Sequence, residues 1–217
     1  MVDYVDIDQL APIVTTHLKG APDEAVVIYL QRACKQFCKD TSIWEESLGR
    51  KSVSEPGDPD LNIVYELPDV DGDFQLPYLS ALKNVSEVKF GEDTDALIKE
   101  NPNPRLARNQ YRFDIVRKEL TIFGGAWDTD GLLEVVAILT TSLSALEIPE
   151  FLVENWSEGI ANYAIWEMMN MPDREWSNSR ESKTYLAKYE SRVNEARFER
   201  AREGTAGAVR IDPIPFN

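Results

Sequence analysis

The sequence predicts an α+β fold: an α-helical bundle interrupted by a largely antiparallel β insertion. Three observations carry that prediction. Apolar residues recur at three- and four-residue spacing toward both ends of the chain. Between about 60 and 145 they fall instead in short runs bounded by Gly, Pro, Asn and Asp. Nowhere do strands and helices alternate in the βαβ manner, which argues against a parallel sheet. The predicted bundle takes residues 1–50 and 146–204, the β-rich insertion 51–145, and an extended C-terminal tail 205–217.

Taken in order, Asp6 or Asp8 is placed to cap a short helix that runs to about Leu18 and is ended by Gly20. Pro22, with Asp23 and Glu24 behind it, opens a second helix to about Lys39. Proline suits a first helical turn, and carboxylates suit the positive end of the helix dipole. Val26, Leu30, Ala33 and Phe37 form its apolar stripe, with Val27, Cys34 and Cys38 alongside. Trp44 is expected to cover the end of this helix. Ser52 to Asp60 contains Pro56, Gly57 and Pro59 and reads as a loop. Strands are expected from Leu61 to Leu67, Tyr78 to Phe90, Tyr111 to Val116, Glu119 to Phe123 and Leu132 to Leu143. The tract from Val85 to Arg108 reads as long and loop-rich. Tyr111, Phe113 and Ile115 alternate with Arg112, Asp114 and Arg117, as in a half-buried strand. The following turn at Arg117-Lys118 lacks the usual Gly or Asn.

The last third returns to helical spacing. Pro149 opens a helix to about Asn170 with Leu152, Trp156, Ile160 and Tyr163 on one face, and Pro172 stops it. Another runs from about Ser179 to Glu203, with Leu186, Tyr189, Val193 and Ala196 on its apolar side. Its other face is expected to carry Arg192, Arg197, Arg200 and Arg202 among glutamates. Such a face is ordinarily just solvated, but arginine is also favoured at protein interfaces. Beyond Gly204, Val209, Ile211, Ile214 and Phe216 are apolar at intervals of two or three, with Arg210 and Asp212 between them. That alternation suits an extended segment added to a partner's sheet edge or groove, as against a frayed terminus.

Composition narrows the function classes. A chain of 217 residues, 43% hydrophobic and 28% charged, is globular in character. No apolar run approaches the roughly 20 residues of a membrane-spanning helix, and the acidic start Met1-Val2-Asp3-Tyr4 does not resemble a signal peptide. The expected place of synthesis and residence is therefore the cytoplasm of the cell that makes it. The net charge is −15. Residues 1–101 hold 20 acidic and 9 basic side chains, against 18 and 14 in the remainder. Nucleic-acid affinity rests on neutralised phosphates, so this balance disfavours gripping DNA while permitting a wall past which DNA slides.

A search for chemistry finds little to support it. Cys34 and Cys38 share a helix face and read as small buried hydrophobes. A zinc site wants about four ligands, and His17, the one histidine, lies on another segment. His17 reads as a surface or helix-end residue. No GxxxxGK[ST] or GxGxxG run is present to cradle phosphate. Asp69-Val70-Asp71-Gly72-Asp73 and Asp128-Thr129-Asp130-Gly131 read as acidic turns, since a calcium loop needs a longer spacing and flanking helices. No catalytic residue, cofactor or metal is expected.

The order of features resembles a known family. A helix bearing Ala33-Cys34-Lys35-Gln36-Phe37-Cys38 leads to Thr41 and Trp44, and a strand ends in Tyr65-Glu66-Leu67-Pro68 before a Gly72 turn. Ile148-Pro149 then opens a helix with Gly159-Ile160-Ala161, and Met171-Pro172-Asp173-Arg174-Glu175-Trp176 leads to the long helix. The chain closes on Val209-Arg210-Ile211-Asp212-Pro213-Ile214-Pro215-Phe216. This series resembles the head–tail adaptor proteins of tailed phages, among them the tail tubular protein A of short-tailed phages. The resemblance implies a ring of copies, typically twelve, docked beneath the portal protein and carrying the tail or nozzle protein, with DNA passing through. It also implies a C-terminal tail that reaches into a neighbouring protein. Two other readings stay open: a carbohydrate- or receptor-binding module, if Trp44, Trp127, Trp156, Trp166 and Trp176 cluster on an exposed β face, and a hydrolase whose carboxylates meet only in the fold.

Overall fold

A computed structural model of the chain describes residues 3–53, 63–67, 74–77, 80–90, 95–96, 98–99, 110–114, 116–122 and 131–205. In chain order the elements are strand β1 (Tyr4–Asp6), a 3₁₀ turn (Ile7–Leu10), and helices α1 (Ala11–His17) and α2 (Asp23–Thr41). Strands β2 (Glu45–Val53), β3 (Ile63–Glu66), β4 (Ser80–Phe90), β5 (Asp95–Ala96) and β6 (Ile98–Lys99) come next. They are followed by β7 (Gln110–Asp114), β8 (Glu119–Ile122), β9 (Gly131–Thr141) and β10 (Glu147–Pro149), and then by helices α3 (Glu150–Met169) and α4 (Ser179–Thr205). The fold is α+β, with every described strand but β1 falling between helical segments. Two compact units result: Met1–Ile43 with Leu146–Asn217, and Trp44–Ala145.

In the helical unit, α2, α3 and α4 pack on one another, with α1 against α2 and α3. The Phe37 ring lies 5.6 Å from that of Trp156, while Arg32, one turn earlier on α2, reaches Glu167 further along α3. Those two helices are therefore antiparallel. Tyr189 meets Tyr163, and Arg192, further along α4, meets Glu158, earlier on α3, so this pair is antiparallel as well. The apolar stripe expected of α2 is buried through Val26, Leu30, Ala33 and Phe37, and Cys34 and Cys38 are buried beside it. Gly159 sits where the three helices meet. A Cβ there would lie 3.1 Å from the Phe37 ring and 3.1 Å from Arg192 Cβ. Both contacts are tighter than a Cβ ordinarily makes, so a side chain there would press on both neighbours.

The helix ends are closed locally. Asp6 caps the 3₁₀ turn, its Oδ1 accepting from the Asp8 N–H at 2.9 Å. Ser42 takes a left-handed conformation (φ 55°) and donates its N–H to Cys38 at 2.9 Å, the common way to end a helix. Before α4, the Asn178 side chain accepts from the Glu181 N–H at 3.1 Å, as an N-cap does. Strands β1 and β10 pair antiparallel, Tyr4 with Pro149 and Asp6 with Glu147. This two-stranded ribbon ties the start of α3 to the N-terminal segment through Glu150 N–H donating to Asp3 at 2.8 Å.

The β unit holds two four-stranded sheets, ordered β2-β9-β4-β5 and β3-β8-β7-β6. Among the described residues every strand pair is antiparallel except β6 with β7. The Tyr111 hydroxyl on β7 donates to the Ser86 carbonyl on β4 at 3.0 Å and links the sheets. Val85, Val88, Leu133, Val135, Leu120 and Ile122 are buried. The hairpin at Arg117-Lys118 forms without glycine: Asp114 Oδ1 accepts from Val116 and Arg117 N–H, and Lys118 itself takes φ 57°. An Asx-type turn has replaced the usual turn residues.

Several expectations need correction. The loop expected from Ser52 begins inside strand β2, which starts at Glu45, so the β unit opens at Trp44 and not at 51. Trp44 belongs to that unit: it is buried, its carbonyl accepts from Leu139 N–H, and its indole N–H donates to Glu46. Strand β9 stops at Thr141, short of Leu143. The Val85–Arg108 tract is not loop throughout, since β4 continues to Phe90 and β5 and β6 follow. The acidic turn at 69–73 and residues 128–130 of the second lie outside the described residues.

If Gly159 sets the approach of α2 and α4 to α3, Gly159→Leu should lower stability by about 1–3 kcal/mol through overpacking. Urea unfolding measures this directly. A variant as stable as the parent would show that the helices are not held so closely there.

Candidate assembly surface

Helix α4 buries Ser182, Tyr185, Tyr189, Val193 and Ala196, a seam at three- and four-residue spacing. With 3.6 residues per turn, Arg192 falls on one edge of that seam and Arg197 on the other. Arg200 continues its line, half-buried, and Arg202 points away and is exposed. The four arginines therefore do not share one face, contrary to the expectation from sequence. The Arg192 guanidinium pairs with Glu158 of α3 and donates to Glu195 at 2.8 Å, and these bonds, Glu158 first, strengthen its hold on its proton. Arg197 Nε donates to the Asp40 carbonyl at 2.8 Å, filling an acceptor that the end of α2 leaves open. Arg192 and Arg197 thus make contacts within the helical unit. Val209, Arg210, Ile211, Ile214 and Phe216 lie outside the described residues.

Inside the seam, Tyr189 is buried between Phe37 (6.3 Å) and Tyr163 (4.8 Å). Its hydroxyl donates to Asp40 Oδ2 at 2.6 Å, and Gln36 Nε2 donates to both oxygens of the same carboxylate. Burial first, then the hydrogen bond and charge of Asp40, push the Tyr189 phenol far above its ordinary range. A second tie joins α2 and α3, Arg32 to Glu167 at 3.1 Å, with burial raising the Glu167 carboxyl and Arg32 opposing that shift.

A cavity of about 450 Å³ opens between α1, α3 and α4, lined by His17, Glu158, Asn162, Lys188, Ser191 and Arg192 among others. His17 ends α1, and its Nδ1 lies 3.0 Å from the Tyr185 hydroxyl, with Lys188 stacked 5.0 Å over the same tyrosine. Glu158 and Glu195, the carboxylates of the cavity, are both bonded to Arg192. That is the pattern of a structural ion-pair set.

Cys34 is fully buried, and burial followed by the neighbouring Cys38 raises its thiol well above its usual value, the opposite of an activated thiolate. Among the described residues no group of three or more His, Cys, Asp or Glu is placed to hold a metal ion. Nor is any helix among them long and apolar enough to cross a membrane. Trp127 lies outside the described residues; of the other tryptophans, Trp44 and Trp156 are buried and Trp166 and Trp176 half-buried. Among the described residues these four form no exposed aromatic platform on a β face. No protein-family model and no curated protein matches the chain.

The tyrosines make a pH prediction with a definite sign. Tyr189 stays protonated in the fold at pH values where the unfolded chain ionises, so its contribution is whole below about pH 10 and is lost as pH rises beyond it. Tyr111, pushed up to about 12 by burial and then Glu87, adds a loss in the same direction between about pH 10 and 12. Urea midpoints should fall above about pH 10. Tyr189→Phe should lower neutral stability by about 1 kcal/mol yet flatten the alkaline decline. An unchanged alkaline slope in that variant would contradict the assignment.

Proposed function

We propose that the chain is a structural subunit of a ring at the head–tail junction of a tailed phage. In this reading it binds its own copies (a dodecamer in the family it resembles), the portal protein, and a tail or nozzle protein. It lets DNA pass and catalyses nothing. Its place is the virion, after synthesis in the host cytoplasm. The observation that carries the reading is the placement of the resembling segments at structural junctions. Ala33, Cys34, Phe37 and Cys38 are buried on α2, Thr41 ends that helix, and Pro149 leads into α3. Gly159 is the helix crossing, and Met171-Pro172-Asp173 forms the turn between α3 and α4. Helices from both sides of an inserted β unit suit a scaffold whose output is contact.

The charge supports the same reading. At −15 the chain repels duplex DNA at long range, which suits a conduit and not a clamp. A gel shift at low salt should therefore show no tight duplex binding by the protein alone, and tight binding would count against the conduit.

The tail is the proposed attachment point. Deleting residues 209–217 should leave the melting temperature nearly unchanged while abolishing co-sedimentation with portal-bearing heads. Undiminished co-sedimentation of the truncated chain would contradict the assignment.

A further inference from the structure

Two exposed surfaces of the helical unit are complementary in charge. The outward stripe of α4 runs through Arg180, Ala187, Ser191, Asn194, Phe198 and Arg202, spaced three, four or seven apart and all exposed. Its charged members are Arg180 and Arg202, with Glu195 at its edge turned to Arg192, although the chain as a whole carries −15. Phe198, 68% exposed, is the most exposed large apolar side chain described in this unit.

The β1–β10 ribbon is the counterpart. Asp3, Asp6, Asp8 and Glu147 are exposed around Leu146, itself 58% exposed, and residues 3–8 and 146–149 include no Lys or Arg. Asp6 and Glu147 are directly paired in the register. Cross-strand partners point to the same side, so two like charges face one another, which is unfavourable in an isolated ribbon. A cation arriving from outside relieves that repulsion.

Resting on the assembly proposed above, we infer that the α4 stripe of one copy docks on the β1–β10 ribbon of the next, with Phe198 against Leu146 and Arg202 toward Asp6 and Glu147. The two patches differ, so the contact is head-to-tail and generates a ring if the rotation closes. A second copy suits the stripe better than a duplex does. Its few cations flank a centre with an exposed aromatic ring, the pattern of a protein interface, whereas DNA binding draws on a dense series of phosphate contacts.

The test uses the full chain in three forms: the parent, Phe198→Asp/Arg202→Glu, and Leu146→Arg/Glu147→Lys. Sedimentation velocity reads association, and circular dichroism checks that each variant is folded. We expect each variant to self-associate at least about tenfold more weakly than the parent, and parental association to weaken with added salt. An equimolar mixture of the two variants should regain association, because each retains one unaltered face and the exchanged charges on the altered faces attract one another. Should the ribbon variant fail to fold, the α4 variant against the parent still decides. If the parent assembles and the α4 variant assembles equally well, this surface is wrong while the ring reading survives. A parent that stays monomeric overturns this docking, and one that stays monomeric even with portal-bearing heads present overturns the ring reading as well. Tight retention of duplex DNA by the parent, lost in the α4 variant, overturns the choice of partner.

Discussion

The helical unit depends on one close approach. At Gly159 the backbone of α3 is bare, and the Phe37 ring from α2 and the Arg192 stem from α4 each come within 3.1 Å of where a Cβ would sit. Several polar contacts of α4 accompany that spacing. With α4 this near, Tyr189 reaches Asp40, Arg197 reaches the end of α2, and Arg192 reaches Glu158. Glycine in a helix interior costs roughly 1 kcal/mol relative to alanine. The packing of three helices at one point offsets that cost.

Polar contacts then refine what apolar burial begins. The Arg32–Glu167 pair is partly exposed and adds little to stability, as surface ion pairs commonly do. Tyr189 is different, because its ring is buried among aromatics while its hydroxyl is satisfied by a carboxylate that Gln36 also holds. A buried hydroxyl with a charged acceptor fixes how α4 turns about its own axis. That rotation decides which α4 residues face solvent, and so links the core to the surface on which assembly is proposed to occur.

Much of this was legible in the sequence. Period 3.6 located α2, α3 and α4 to within a few residues, since each carries an uninterrupted buried stripe. The strands β4, β7, β8 and β9 were legible from apolar runs between turn residues. Strand β2 was not: Glu45 to Val53 has Leu48 as its sole buried residue described, and a register shift between Ser47 and Gly49 breaks the alternation. The β1–β10 ribbon is three residues long, too short for any period to show. Surface roles were harder still. Naming the arginines of α4 did not say which contacts they make, because Glu158 and Asp40 lie far away in the chain. Phe198 carried a signal that was available, an aromatic residue off the apolar stripe of an otherwise amphipathic helix.

The central claim is that this chain acts by assembling. Native mass measurement of the protein recovered from particles, beside the purified chain with and without portal-bearing heads, addresses it most directly. The account predicts a closed assembly of one defined multiple of the 24.6 kDa chain, present in the particle and recruited by the heads. A chain absent from particles, or one that remains a monomer even with heads present, would contradict it.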